Sequence, residues 1–436
     1  MGQEGLSRVS PPMRYSLSRL GWICALACAL PALARDLPLA EAEAQFLARN
    51  RDLQAARRVV ESAGAQVEIA AARPNATLSL NTSSISSNPG IGPGSLTQKR
   101  MDTVLRIDQP FERGDKRELR IDAAQGLERA AQADAREVLR QQLAAMRGAY
   151  YDLKQSEERR AVLGEVAELF AGTLRAAQLR LKAGDLAAAD VAKIQVDHER
   201  AQNDLRAAVA DLARAQLALA FMIGEESAAA TLRAADAWPA VQRADAAAVA
   251  RAVDARPDVA AAAARVEAAE KLRELARAQR TRDVTVGAQY ERYPSSSPAN
   301  SIGLGISIPL FTGNDFSGDI RRAEVDRYAA LDAQARVRAA AQTELRRAAG
   351  DLNGAADRLE RFDATLLAAA RRAAEAAEFA FQRGATSVLE VLDARRTLRG
   401  VLVDALAARA DHAKALAAWR AAHESVPALE LPKDPK

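Results

Sequence analysis

The 436-residue sequence predicts a mainly α-helical chain with a small β portion suited to a membrane, built twice from one unit of strand pair and long helical hairpin. Three observations predict it. Aromatic residues make up only 4% of the chain, while Ala, Leu, Arg, Glu and Gln dominate its interior. That mix favours long helices with seams of small side chains over a thick aromatic core. Two short regions interrupt the helical pattern, and both alternate with period two. Motifs of the first half also return in the second, with Pro110 and Pro309 199 residues apart.

The first element is a targeting segment. Arg14 and Arg19 precede an apolar run from Leu20 to Leu30, which Ala32-Leu33-Ala34 follows. These are the charged, apolar and small-residue parts of a secretory signal, so residues 1–34 are expected to be cleaved. The apolar run is too short to span a bilayer as a helix, and Pro31 closes it. Met13 serves as a start as well as Met1 does. Both cysteines, Cys24 and Cys28, lie inside this segment, so the mature chain is expected to hold neither a disulfide nor a cysteine metal site. Ala25-Leu26-Ala27-Cys28 resembles a lipobox but has Ala25 where Leu is usual; cleavage after Ala34 is favoured over lipidation.

The first unit is expected over residues 35–245, with strands at 76–86 and 101–109. The second is expected over 246–426, with strands at 283–292 and 301–310, and residues 427–436 form a disordered tail. Leu78 and Leu80 alternate with Thr77, Ser79 and Asn81, and Leu105 and Ile107 with Asp102, Arg106 and Asp108. Val284, Val286, Ala288 and Tyr290 alternate with Thr285, Gly287 and Gln289. Ile302, Leu304, Ile306 and Ile308 alternate with Gly303, Gly305 and Ser307. Each strand therefore has an apolar and a polar face. Strands of about 9–11 residues suit a tilted membrane span. The turn-rich linkers Ser87-Asn88-Pro89-Gly90-Ile91-Gly92-Pro93-Gly94 and Pro294-Ser295-Ser296-Ser297-Pro298 suit exposed loops. A small soluble sheet would alternate too; the export signal and the polar set Asp102, Arg106 and Asp108, read as barrel-lining, favour the membrane. Four strands cannot close a barrel, and an open edge in lipid leaves backbone groups unsatisfied. Copies must therefore combine, and closure alone does not choose between two and three.

The helical hairpins come next. Residues 113–182 contain no proline, and Leu139, Leu143, Met146, Tyr150 and Leu153 follow a 4-3-4-3 spacing. Such a helix is ~100 Å long. A second helix follows Gly184, with Leu205, Val209, Leu212 and Leu219 on one stripe. The second unit repeats the plan: a helix to about Arg383, a break at Gly384, and a helix from about Leu389 to His423. The repeat is explicit in Gln109-Pro110-Phe111-Glu112-Arg113-Gly114 against Ile308-Pro309-Leu310-Phe311-Thr312-Gly313. Gly184 and Gly384 lie 200 apart, and Asn50-Arg51-Asp52-Leu53 and Arg256-Pro257-Asp258-Val259 lie 206 apart. Residues 233–247, with Trp238-Pro239, break the helical run and receive no role.

Composition excludes several functions. Net charge is only +4, with both signs interspersed, and no basic patch interleaved with aromatics suggests nucleic acid. The three histidines are His198, His412 and His423. The last two stand ~16 Å apart along one helix, so they cannot share a metal ion, and each is expected at a surface or between helices. No phosphate-binding glycine loop and no nucleophile or paired-carboxylate constellation is present. Neither an enzyme nor a bound cofactor is expected.

With the duplication, strand pairs and glycine-bearing tips in place, the chain resembles the TolC-type outer-membrane efflux family over essentially its whole mature length. Ala72-Arg73-Pro74-Asn75 and Gln109-Pro110-Phe111-Glu112-Arg113-Gly114-Asp115-Lys116-Arg117 are similar to the cobalt-zinc-cadmium resistance (CzcC-like) branch. Arg51 departs from the proline usual there, and Asp115 from a common glycine. The resemblance implies a homotrimer with a twelve-stranded barrel in outer-membrane lipid and an α-helical tunnel across the periplasm. The tips near Gly184 and Gly384 would meet a periplasmic adaptor, served by an inner-membrane pump of the resistance-nodulation-division type. Ser387-Val388-Leu389-Glu390-Val391-Leu392-Asp393-Ala394 matches the family's gate motif, making Glu390 and Asp393 rings at the periplasmic aperture; by spacing alone they could be a solvated helix face. Phe381 and Thr386 replace a tyrosine and an arginine that would tie the gate, while Asp190 matches their acidic partner. Closure is therefore expected to rest on Phe381 and Leu389. The function implied is export of divalent heavy-metal cations. Multidrug efflux or type I protein secretion is the alternative within transport, and a periplasmic coiled-coil scaffold the alternative outside it.

Overall fold

Asn50 breaks the first helical run. Its Oδ1 accepts from the backbone N–H groups of Asp52 and Leu53 at 3.0 and 3.1 Å, capping a new helix, while its Nδ2 donates to the Met222 carbonyl at 3.1 Å. The computed structural model describes residues 35–83, 101–293, 299–383 and 385–424. The signal segment, both strand-connecting linkers, Gly384 and the tail at 427–436 lie outside the described residues.

In order, the elements of the first unit are β1 (Arg35–Leu37), α1 (Leu39–Arg49), α2 (Arg51–Ala71), β2 (Thr77–Ser83), β3 (Asp102–Phe111), α3 (Lys116–Ala183), α4 (Ala188–Ile223) and β4 (Leu232–Ala234). The second unit holds α5 (Ala246–Ala252), α6 (Pro257–Ala278), β5 (Val284–Tyr293), β6 (Ala299–Ser307), α7 (Ser317–Arg361), α8 (Leu367–Gln382) and α9 (Val388–His423). The expected continuous helix to Arg383 is corrected. A π-helical turn, Phe362–Leu366, separates α7 from α8. None of its side chains is buried, so the wider turn disturbs no core packing, and Asp363 is held by Arg409 of α9 at 3.1 Å.

α3 is one helix of 68 residues, ~100 Å long. Leu139, Met146, Tyr150 and Leu153 of its heptad stripe are buried against Phe46, Leu53, Leu219 and Ile223, with Leu143 packed at the edge. The stripe read on α4 needs one correction: Val209 is exposed and Ala208 is buried in its place. The inward face of α4 is set by Val191, Ile194, Asp197, Ala201, Ala208, Leu219, Ala220 and Ile223, so small residues and one acid share it with the large apolar ones. Small residues also bring α3 and α6 together. A Cβ at Gly126 would stand 3.0 Å from the Ala268 Cβ, so any larger side chain would force the helices apart.

β1 and β4 pair in parallel, and the other strands form one antiparallel sheet in the order β2-β3-β5-β6. The two strand pairs thus join through β3 and β5, leaving β2 and β6 at the edges. The segment without a sequence role proves to be a strap at mid-height. Trp238 stacks on Tyr151 with centroids 6.0 Å apart and donates Nε1–H to Glu158 at 2.9 Å. Farther on, the Ala244 N–H donates to Asn353 at 3.0 Å, and the Gln242 N–H donates to Nε2 of the fully buried His412 at 3.2 Å. His423 stacks on Trp419 and bonds its carbonyl at 2.7 Å. The strap therefore links the two units.

Candidate functional site

Register places the side chains of the sheet on two unlike faces. Leu78, Leu80, Leu105, Ile107, Ile302, Leu304 and Ile306 share one face and all are exposed; Ile302 and Leu304 reach 82% and 84%. Such a patch of apolar surface on sheet is costly in water and suited to lipid. Among the described residues no helix is long and apolar enough to cross a membrane.

The opposite face carries Asp102, Arg106 and Asp108 together. Nε of Arg106 donates to both Asp108 oxygens at 2.9 and 2.7 Å, and its Nη1 donates to Gln289 Oε1 at 3.0 Å. Gly287 makes this possible, since a Cβ there would meet Asp108 Oδ1 at 2.3 Å. Sequence reasoning missed Glu291, which accepts from Tyr293 Oη at 2.9 Å, from Ser301 Oγ at 3.0 Å and from the Gln289 amide. Its place on the polar face of β5 was the available signal.

The other candidate residues lie at the far end of the hairpins. Gly184 closes α3 at φ 82°, a left-handed conformation that glycine adopts without strain. Ser387 caps α9, and Glu390 and Asp393 are exposed in its first turns with no ion-pair partner among the described residues. Asp190 pairs with Lys193 on its own helix at 3.4 Å. Phe381 lies under the Arg180 guanidinium, 5.8 Å from the ring centroid, and Leu389 is exposed.

What joins the hairpins is a ladder that the sequence reading did not find. Asp197, Asp204 and Asp211 recur every seven residues along α4. Asp197, only 4% exposed, pairs with Arg396 of α9 at 2.5 Å, and Asp204 pairs with Arg399 at 2.6 Å. Asp211 turns instead to Arg159 of α3 at 3.0 Å. Arg395 adds a bond to Thr173 at 2.8 Å and an ion pair to Glu378. The heptad of acids was the signal. The partners of Asp197 and Asp204, Arg396 and Arg399, are about two hundred positions away in the chain and have no local signature. Among the described residues, no group of three or more His, Cys, Asp or Glu side chains could hold a metal ion.

One end of the molecule thus carries a sheet with an exposed apolar face and an opposite charged face, and the other presents Glu390 and Asp393 on a helix tied by ion pairs to its neighbour. The model of a family described as "Outer membrane efflux protein" matches residues 44–225 and 248–423. The chain is 27% identical over 303 residues to the cobalt-zinc-cadmium resistance protein CzcC of Cupriavidus metallidurans, covering 68% of this chain and 71% of that protein. Among solved structures, the Campylobacter jejuni CmeC outer membrane channel superposes with a TM-score of 0.76 at 16% identity, over 98% of this chain and 95% of that one. The outer-membrane channel OprN superposes with a TM-score of 0.74 at 21% identity, over 90% and 91%.

Proposed function

Because the chain belongs to the outer membrane efflux protein family, we propose that three copies close their sheets into a twelve-stranded barrel continued by a helical tunnel, and that this duct exports divalent heavy-metal cations. The protein is an efflux channel of the outer membrane reaching into the periplasm, and it is not an enzyme. The observation that carries the barrel reading is the four-stranded sheet with an exposed apolar face, an opposite charged face and two edges without strand partners among the described residues. Lipid cannot satisfy such edges, so copies must.

The cation cargo rests on two supports. The curated relative is named for cobalt, zinc and cadmium resistance. Glu390 and Asp393 are exposed and have no ion-pair partner among the described residues, and three copies around an axis would place six carboxylates at the aperture, attracting cations and repelling anions. Energy comes from an inner-membrane pump of the resistance-nodulation-division type, met through a periplasmic adaptor at the tips near Gly184 and Gly384.

The test is growth of a deletion strain across graded zinc, cobalt, cadmium, nickel and copper beside antibiotics and dyes. Selective metal sensitivity, restored by the intact gene and not by one lacking residues 77–111, is the expected result. Sensitivity to drugs alone would leave the channel standing and refute the metal cargo.

A further inference from the structure

β2 and β6 have no strand partner on their outer sides among the described residues, and the internal repeat indicates how they meet. With Pro110 matched to Pro309, Asp108 corresponds to Ser307 and Ile107 to Ile306. Asp108 faces Thr77 across β2–β3, and Ser307 faces Thr285 across β5–β6. Thr77 and Thr285 are therefore equivalent, as are Leu80 and Ala288. In the middle of the sheet Ile107 faces Ala288. Carrying that pair to its repeat counterparts gives a contact that one chain cannot make.

We infer that β6 of one copy pairs antiparallel with β2 of a second copy in the register Leu80–Ile306, with Leu78 opposite Ile308 and Thr82 opposite Leu304. The inference rests on the closed-barrel reading and adds the one register that this chain's own repeat specifies. Three further observations agree with it. The register brings outward-facing residues opposite outward-facing ones, and the inward set follows as Ser79–Ser307, Asn81–Gly305 and Ser83–Gly303. A slip of one residue would set the whole apolar set of one strand opposite the polar set of the other.

Continued past β6, the same register sets Leu310, 75% exposed, opposite Ala76. Ala76 lines a cavity of about 660 Å³ with Arg73, Pro74, Phe111 and Arg117, beside the free edge of β2. In the middle of the sheet the equivalent place is filled, by Phe111 facing Val284. The occupant of the cavity is therefore the Pro309-Leu310 segment of the second copy. The helices tell the same story. The counterpart of the tight α3–α6 crossing, Gly126 on Ala268, is α7 of one copy on α2 of the next. Those two helices keep Val59, Ile69, Val325 and Tyr328 exposed in the single chain.

Paired cysteines test the register in the full chain, expressed in its own outer membrane and run without reductant. Directly opposed residues of neighbouring antiparallel strands have Cα atoms about 4.5–5.5 Å apart, within the span of a disulfide, whereas positions shifted by two residues are about 7–8 Å apart. Leu80→Cys with Ile306→Cys is expected to link chains into a ladder ending in a closed ring. Its yield should be about fivefold above that of Leu80→Cys with Leu304→Cys or with Ile308→Cys. Ser79→Cys with Ser307→Cys gives an independent readout on the inner face, and single substitutions report any link to Cys24 or Cys28. A shifted pair that links better than the in-register pair overturns the proposal. So does the absence of linkage in variants that still migrate as SDS-resistant oligomers, which would leave the barrel reading intact. An unsubstituted chain without any such oligomer would overturn both.

Discussion

At the scale of single residues, charge placement decides what holds and what opens. Asp197 is buried, and Arg396 supplies its ion pair from the other hairpin. Charge-assisted bonds of this kind contribute about 1.5–3 kcal/mol, so Asp197→Ala should lower the unfolding midpoint and free α9 at the tip. The channel reading adds a second readout. Cells carrying Asp197→Ala should become sensitive to large antibiotics that the wild-type duct excludes, and unchanged sensitivity would remove the ladder from gating. Phe381 and Leu389 stand where the mouth would narrow; Phe381→Ala with Leu389→Ala should raise channel conductance, and an unchanged conductance would refute their part in closure.

Glu344 makes a pH prediction. Burial pushes its carboxyl up, but hydrogen bonds from Arg256 at 2.8 Å and Arg140 at 2.9 Å outweigh that and hold it below the usual carboxylate range. A depressed folded value contributes stability that is present above the unfolded value, near pH 4.3, and is lost as the pH falls through the folded one. Glu344→Gln should therefore reduce thermal stability at neutral pH and flatten its decline below about pH 4.3. A decline as steep as in the parent protein would contradict this role.

At the scale of elements, the sequence revealed most where one element explains itself. The alternation of Leu105 and Ile107 with Arg106 and Asp108 fixes which face of β3 is apolar, whatever lies beside it. The stripe through Leu139, Met146, Tyr150 and Leu153 fixes the buried side of α3 in the same way. Features that depend on a distant partner were not legible. Ala208 rather than Val209 is buried in the seam, and which of two adjacent residues faces a distant helix has no local signature. The π turn at Phe362–Leu366 widens a helix whose composition shows no proline or glycine there. Glu291 gains meaning only beside Ser301 and Tyr293. Gly287 looked like a simple alternation residue, yet it holds open the space for the Arg106–Asp108 pair. Gly287→Val should push that pair off the wall and cost the oligomer its SDS resistance, whereas Gly313→Ala, in open space, should not. Equal loss in both variants would refute the specific role of Gly287.

At the scale of the whole molecule, the duplication is the organising fact. Each unit supplies two strands and a hairpin, and the contact that joins the units inside one chain, β3 to β5 and α3 to α6, leaves its counterpart open at either side. On the proposed reading the single chain is an arc of a closed wall, with Asp102, Arg106, Asp108 and Glu291 on its inner side and Glu390 and Asp393 at its mouth. A wall so charged is expected to conduct and to favour cations. The most direct measurement is the reversal potential of the purified oligomer in a planar bilayer under a salt gradient. The account predicts a conducting pore with cation selectivity that falls when Glu390→Gln and Asp393→Asn are combined. A pore that prefers anions, or an oligomer that inserts without conducting, would contradict it.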